Sequence, residues 1–211
     1  MADFARSDHP EVQRQLDRLE RLAPAGDVLG LERIEALLAR LGNPEQRLPP
    51  VFHVAGTNGK GSTCAFLRAA IEAAGLSCHV YTSPHLVRFN ERIRIAGKLI
   101  EDEALAQLLE EVLDVGKGVA ASFFEVTTAA AFLAFSRVKA DASVVEVGLG
   151  GRLDATNVIA EPVITGIASL GLDHQHFLGS RIEGIAAEKA GIAKPGVPLM
   201  TQLYPVRIAS R

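Results

Sequence analysis

Val51-Phe-His-Val-Ala-Gly-Thr-Asn-Gly-Lys-Gly-Ser-Thr63 is the stretch that decides the fold. Pro49-Pro50 introduces it, and Val51-Phe-His-Val-Ala55 reads as a short strand. From Thr63 to Ala74 the apolar residues Phe66, Leu67, Ala70, Ile71 and Ala74 share one face of a helix that Gly75 closes. A glycine-rich turn set directly between a strand and a helix is what a phosphate-binding loop requires. Glycines let backbone N–H groups approach phosphate oxygens, the helix N-terminus adds a positive dipole, and Lys60 adds a point charge. The spacing departs from the usual pattern, because Gly61 separates Lys60 from the hydroxyls of Ser62 and Thr63, one of which must face a Mg²⁺ ion. A plain strand–helix turn with a surface lysine is the alternative; the placement favours phosphate.

Working outward, strands and helices alternate. Residues 11–22 carry a helical stripe at Val12, Leu16, Leu19 and Leu22, and Leu29–Leu41 resumes it before Gly42-Asn43-Pro44 stops it. Strands are predicted at Cys78–Thr82, 143–147, 163–168 and Pro198–Thr201, and a hairpin joins Arg92–Ile95 to Lys98–Ile100 through Ala96-Gly97. Helices are predicted at about 102–115 and 124–138 and at Ile182–Ile192. The near-continuous apolar strands argue an α/β fold, a mostly parallel sheet covered by helices on both faces, of the P-loop NTPase kind. Residues 1–50 are expected to be a helical lead-in and 51–211 the P-loop domain.

The chain has 211 residues, 48% hydrophobic and 22% charged, enough to bury roughly 70% of its unfolded surface in one full core or two small ones. That composition excludes a disordered tail, a collagen-like chain and a coiled coil. With 22 basic and 25 acidic residues the net charge is −3, so there is no electrostatic footprint for nucleic acid and no polybasic membrane patch. Cys64 and Cys78 make no C-x-x-C and read as small buried hydrophobes in a reducing compartment. No leader-like apolar segment and no run approaching 18 apolar residues is present, so a soluble, cytoplasmic chain is expected.

A second cluster, Glu146-Val-Gly-Leu-Gly-Gly-Arg-Leu-Asp-Ala-Thr-Asn157, again follows a strand. Leu153 occupies the third glycine position of a dinucleotide fingerprint, so that reading fails. Glu146 sits inside an apolar strand, where a carboxylate needs a cation; a metal and a salt bridge to an arginine such as Arg152 are equally good readings. In Gly171-Leu-Asp-His-Gln-His176, His174 and His176 are candidate metal ligands or proton carriers, although a solvated loop is the favoured reading of the residues alone. His53 and His79 read as satisfied core residues. Lys189 has alanine and isoleucine neighbours at helical spacing and could be a desolvated, reactive lysine, but the residues alone favour an exposed one.

Six ordered motifs then carry a resemblance: Ala55-Gly-Thr-Asn-Gly-Lys-Gly-Ser62, Thr82-Ser-Pro-His-Leu86, Phe123-Phe-Glu-Val-Thr127, Glu146 to Asn157, Leu172-Asp-His174 and Glu188-Lys-Ala-Gly-Ile192. From about residue 18 onward the chain resembles the bifunctional dihydrofolate synthase/folylpolyglutamate synthase proteins of the Mur ligase superfamily, and its fold is expected to be of the Mur ligase central-domain type. The resemblance implies an ATP-dependent amide ligase, which phosphorylates a carboxylate of dihydropteroate or of a reduced folate's glutamate tail. The amine of L-glutamate then attacks the acyl phosphate.

Carried over by motif, Gly56, Thr57, Asn58, Gly59, Lys60, Gly61 and Ser62 are implied ATP-binding residues. Ser62, Ser83, Glu146 and His174 are implied Mg²⁺ ligands, with Lys60, His174 and Lys189 in catalytic roles and Lys189 as a carbamylated lysine. Phe124, Glu125, Leu153, Asp154 and Ala155 are implied substrate contacts, as, more weakly, is the Ala23–Gly30 loop. A monomer is expected. The family also carries a second, smaller α/β domain that completes the glutamate site, and it is absent from this sequence, which stops at Arg211. Two rivals therefore stand beside the ligase: a nucleotide-binding module without turnover, and a small-molecule kinase built on the same loop.

Overall fold

The computed structural model describes residues 6–22, 29–173, 177 and 179–210. Among these, seven strands form one sheet: β1 (Val51–Ala55), β2 (Cys78–Tyr81), β3 (Ile93–Ile95), β4 (Lys98–Leu99), β5 (Ala142–Glu146), β6 (Ile164–Ile167) and β7 (Leu199–Thr201). Their order is β4-β3-β2-β5-β1-β6-β7. The β2–β5, β5–β1, β1–β6 and β6–β7 pairs are parallel, while β2–β3 and β3–β4, the latter the hairpin read from Ala96-Gly97, are antiparallel. Ala96 and Gly97 both take positive φ, 47° and 87°, as a two-residue hairpin turn requires. The helices are α1 (Pro10–Glu20), α2 (Glu32–Arg40), α3 (Lys60–Ala73), α4 (Asp102–Val115), α5 (Phe123–Arg137), α6 (Ile182–Ala190) and α7 (Val206–Ala209).

Strand alternation splits the core between the two faces of the sheet. Val51, Tyr81 and Val145 enter one large cluster with Leu16 and Leu19 of α1, Ile34 and Leu37 of α2, Leu105 and Leu109 of α4, and Phe132 and Phe135 of α5. Val54, Val80 and Val144, one residue out of phase, face the other side and pack on Cys64 of α3. Helices therefore cover both faces, and the first two helices share their core with the sheet. The central strand β5 is buried at every position, which explains its lack of polar alternation. In α5, Ser122 and Glu125 cap the N-terminus reciprocally, and residues from Glu125 to Phe135 are buried all round, as in a core helix rather than an amphipathic one.

One boundary moves in a way that matters. The helix after the glycine loop begins at Lys60, not at Thr63, with Gly59 at its N-cap in the left-handed region (φ 78°). The first intrahelical hydrogen bond runs from Thr63 N–H to Gly59 O at 2.9 Å, leaving the N–H groups of Lys60, Gly61 and Ser62 without an intrahelical partner. Glycines and a serine make a weak helix by propensity, so the pattern reading starts the helix one turn late.

Candidate functional site

The C-terminal ends of β1, β2, β5 and β6 lie side by side, where ligands bind in open α/β sheets. The β1–α3 loop enters on Gly56, whose φ of 151° excludes side chains, and a Cβ there would lie 3.1 Å from the Ala168 Cβ and 3.3 Å from Lys60 Cγ. Lys60 thus folds its stem back over Gly56, at the head of the three unpaired amides. On the other side the loop is fastened to the segment leaving β6. Thr57 N–H and Asn58 N–H both donate to Ser169 O (2.6 and 3.3 Å), and the Thr57 side chain pairs with Gly171. Of the seven residues from Gly56 to Ser62, the first part is held by protein and the helix-initiating part is open to an anion.

Glu146 ends β5 almost wholly buried, 4% exposed, and its Oε2 accepts a 3.3 Å hydrogen bond from Ser83 N–H. That oxygen lies 3.8 Å from the place a Gly61 Cβ would occupy, so the carboxylate faces the first turn of α3. Burial pushes its pKa up to about 7, against the pull of Lys60, the Ser83 N–H and Arg92. A carboxylate this short of compensating charge, beside Ser83 and facing the first turn of α3, is a good place for a hard divalent cation. Arg152, the arginine offered as a salt-bridge partner, is paired with Glu188 instead, at 2.8 Å. Among the described residues no group of three or more His, Cys, Asp and Glu side chains comes together. His174 and His176 lie outside the described residues, as do positions 23–28.

Lys189 corrects the expectation of an exposed lysine. It is 3% exposed, and its Nζ donates to Gly56 O at 3.1 Å. Burial, with Lys60 adding to it, lowers its pKa to about 8. The burial comes from two glycines in close contact. A Cβ on Gly151 would stand 2.7 Å from Glu188 O and 2.9 Å from Lys189 O, and one on Gly191 would stand 2.4 Å from Arg152 Cβ. The turn after β5 therefore lies flush on the end of α6 and seals Lys189 beneath it.

The implied substrate residues divide. Phe124 lies across Gly148, where a Cβ would meet the ring at 2.3 Å, and its centroid is 6.1 Å from that of Tyr81. Glu125 is turned away into the protein: both its oxygens take Arg33 donors at 3.0 Å, and Oε2 also accepts from Ser122 N–H. Leu153 is half-buried and Ala155 buried. Asp154, 3% exposed, takes the N–H of Leu149 on one oxygen and both the N–H and hydroxyl of Thr156 on the other. Its carboxylate clamps the turn that covers Lys189.

Two buried groups differ from what the sequence suggested. His53 Nε2 is 2.8 Å from Thr156 Oγ1. That hydroxyl gives its single proton to Asp154, so it accepts from His53, and the imidazole carries its proton on Nε2. His53 Nδ1 is buried without a partner, so the expected satisfied core histidine is only half satisfied. Arg92, 0% exposed, lies over the rings of Phe89 and Phe123 and donates through Nε to His85 Nδ1 at 3.0 Å. Its position within an Asn-Glu-Arg-Ile-Arg string gave no sign of burial. Both cysteines are buried and free, as expected, and no helix among the described residues is long and apolar enough to cross a membrane.

No family model matches the chain. The dihydrofolate synthase/folylpolyglutamate synthase of Bacillus subtilis is 48% identical over 179 residues, which is 82% of this chain and 41% of that protein. Escherichia coli FolC in complex with DHPP and ADP superposes with a TM-score of 0.88 at 39% identity, over 94% of this chain and 48% of that one. A bifunctional folylpolyglutamate synthase/dihydrofolate synthase with Mn, AMPPNP and L-glutamate bound gives 0.85 at 39% identity, again over 94% of this chain and 48% of that one. The chain spans less than half the length of each of these relatives. By sequence and by fold it belongs to the dihydrofolate synthase/folylpolyglutamate synthase family, within which it corresponds to the N-terminal domain.

Proposed function

We propose that this chain provides the nucleotide and metal site of an ATP-dependent ligase of folate metabolism. The ligase joins L-glutamate to dihydropteroate, extends the glutamate tail of a reduced folate, or does both. The observation that carries the reading is the facing of three unpaired helix amides and Lys60 against a buried, cation-deficient Glu146. An anion and a divalent cation together would satisfy both sides, and a nucleoside triphosphate with Mg²⁺ supplies that pair. The relatives solved with ADP, with AMPPNP and Mn, with DHPP and with L-glutamate support the same ligand set.

In this reading the substrate carboxylate oxygen attacks the γ-phosphorus, the bond to the β-phosphate oxygen breaks, and ADP leaves. The glutamate amine then attacks the acyl carbon, inorganic phosphate departs with the electron pair of the C–O bond, and the ammonium gives up its proton. Lys60 and the N–H groups of Lys60, Gly61 and Ser62 hold and orient the phosphates, which is most of what phosphoryl transfer asks of a protein. Ser62, Ser83 and Glu146 are the residues that would hold Mg²⁺, whose contribution when bound is neutralisation of phosphate charge. His174 is assigned to a second ion by resemblance. Lys189, buried and easily deprotonated, is poised to take up CO₂ as a carbamate, exchanging a cation for an anion beside Gly56.

Phe124, with Leu153 and Ala155, would present the pterin side. Asp154 would act by holding their turn, and Glu125 by fixing the start of α5. A cytoplasmic monomer belongs to the same reading, and the net charge of −3 supports a small-molecule substrate rather than nucleic acid. The test is ADP release by the purified chain with Mg-ATP, given dihydropteroate and L-glutamate separately and together, with mass spectrometry of the product. Release that requires both, with dihydrofolate formed, is the expected outcome for a self-sufficient ligase. A phosphorylated product that accumulates stably without needing glutamate would replace the ligase by a kinase.

A further inference from the structure

The phosphate loop contains a hydroxyl that never faces the phosphate side. Thr57 Oγ1–H donates to Gly171 O at 3.0 Å, and the same oxygen accepts Gly171 N–H at 3.0 Å. A hydroxyl has one proton, so Thr57 has nothing left to donate to a nucleotide. Backbone bonds extend the contact: Thr57 N–H to Ser169 O at 2.6 Å, Asn58 N–H to Ser169 O at 3.3 Å, and an isolated antiparallel bridge between Asn58 and Ser169. The segment after β6 is held from its far side as well, since Leu170 N–H donates to Tyr204 Oη at 3.0 Å, from beyond β7. Three stretches of chain are thus stitched in a row, Thr57-Asn58 to Ser169–Gly171 to Tyr204.

We infer that Thr57 is a positioning residue of the nucleotide site. Its hydroxyl, backed by Tyr204, fixes the first half of the glycine loop to the β6 exit so that the amides of Lys60, Gly61 and Ser62 stay presented together. The inference rests on the nucleotide reading above. The mechanism is preorganisation: a glycine-rich loop has many conformations, only one of which aims those amides, and apparent affinity falls by the fraction of chains that leave it.

Calorimetric titration of the purified chain with ADP in the presence of a metal chelator tests it, with melting temperatures recorded for every variant. Thr57→Val keeps the shape and removes both side-chain hydrogen bonds, and the expected loss of ADP affinity is about tenfold. Thr57→Ser keeps the hydroxyl and should bind within about twofold of wild type. A role confined to fold stability would lower the melting temperature of Thr57→Val and leave its affinity below that temperature intact. Unchanged affinity in Thr57→Val, or equal losses in Ser and Val variants, would overturn the inference. Should Thr57→Val not fold, Tyr204→Phe carries the test: about threefold weaker binding is expected, and none would overturn it. Wild-type chain that binds no ADP would instead overturn the nucleotide reading, and this inference with it.

Discussion

Acid titration of His53 gives the sharpest test of the buried network. The imidazole is 0% exposed, its Nε2–H is held by Thr156, and its Nδ1 has no partner that would welcome a proton. Burial first, and Lys194 second, lower its pKa from 6.5 to about 3. The unfolded chain therefore binds a proton at this site below 6.5 that the folded chain refuses until about 3, so stability rises with pH across that window and is lost on acidification. Each unit is worth up to about 1.4 kcal/mol, so the move from neutrality to about pH 5 costs on the order of 2 kcal/mol through this residue.

His53→Gln retains an N–H donor for Thr156 and does not titrate. Urea unfolding of both chains at about pH 7.5 and about pH 5 should show the wild type losing about 2 kcal/mol more than the variant. Other groups move too: burial raises the pKa values of both Glu146 and Asp154, the latter joined to His53 through Thr156, and both carboxylates gain by protonation as pH falls. They are present in both chains and cancel in the difference. Parallel pH profiles would refute the neutral, half-partnered histidine.

Three further outcomes are expected. Lys60→Ala should lower Mg-ATP affinity by about 30-fold or more, the loss of a charge-assisted phosphate contact, and calorimetry giving wild-type affinity would remove Lys60 from the site. Glu146→Gln should fold at least as well as wild type at about pH 8, because a carboxylate whose pKa is raised from 4.5 to about 7 costs stability that accumulates as pH climbs between those values and is fully felt above them. Its nucleotide binding should lose its dependence on Mg²⁺ in a metal titration, and a variant that cannot fold would mark Glu146 as structural. Gly151→Ala forces a methyl against the carbonyl oxygens of Glu188 and Lys189, so a loss of about 1–3 kcal/mol and a melting temperature lower by several degrees are expected; an unchanged melt would show that the turn does not seal α6.

What could be read from the sequence followed local pattern. Ala142-Ser-Val-Val-Glu146 reads as a buried parallel strand because both its faces are covered, and Ala96-Gly97 reads as a hairpin because few residue pairs accept two positive φ angles in a row. The start of α3 was misplaced for the same reason that makes it useful. Lys60-Gly-Ser is a poor helix by propensity, and its winding depends on the Gly59 cap and on the sheet beneath. A pattern reading sees the apolar stripe that begins later and misses the turn that presents the amides.

The site was legible only as separate pieces, since the contacts that join them span the chain. Lys189 meets Gly56 across 133 positions, Thr57 meets Gly171 across 114, and His53 meets Thr156 across 103. No window centred on Lys189 reveals that two glycines, Gly151 and Gly191, let a distant turn close over it, so an alanine-rich helix with one lysine reads as a solvated face. Once those pieces meet, their charges do not balance within the protein. Burial drives Glu146 toward neutrality and makes Lys189 easier to deprotonate, while Lys60 acts on both, drawing Glu146 down and pushing Lys189 down with it. A fold selected for stability alone would pair or remove such groups, because each buried charge without a partner costs more than a well-packed apolar side chain would. They persist at the C-terminal end of the sheet beside three unpaired helix amides, and an anion carrying its own cation would remove the imbalance.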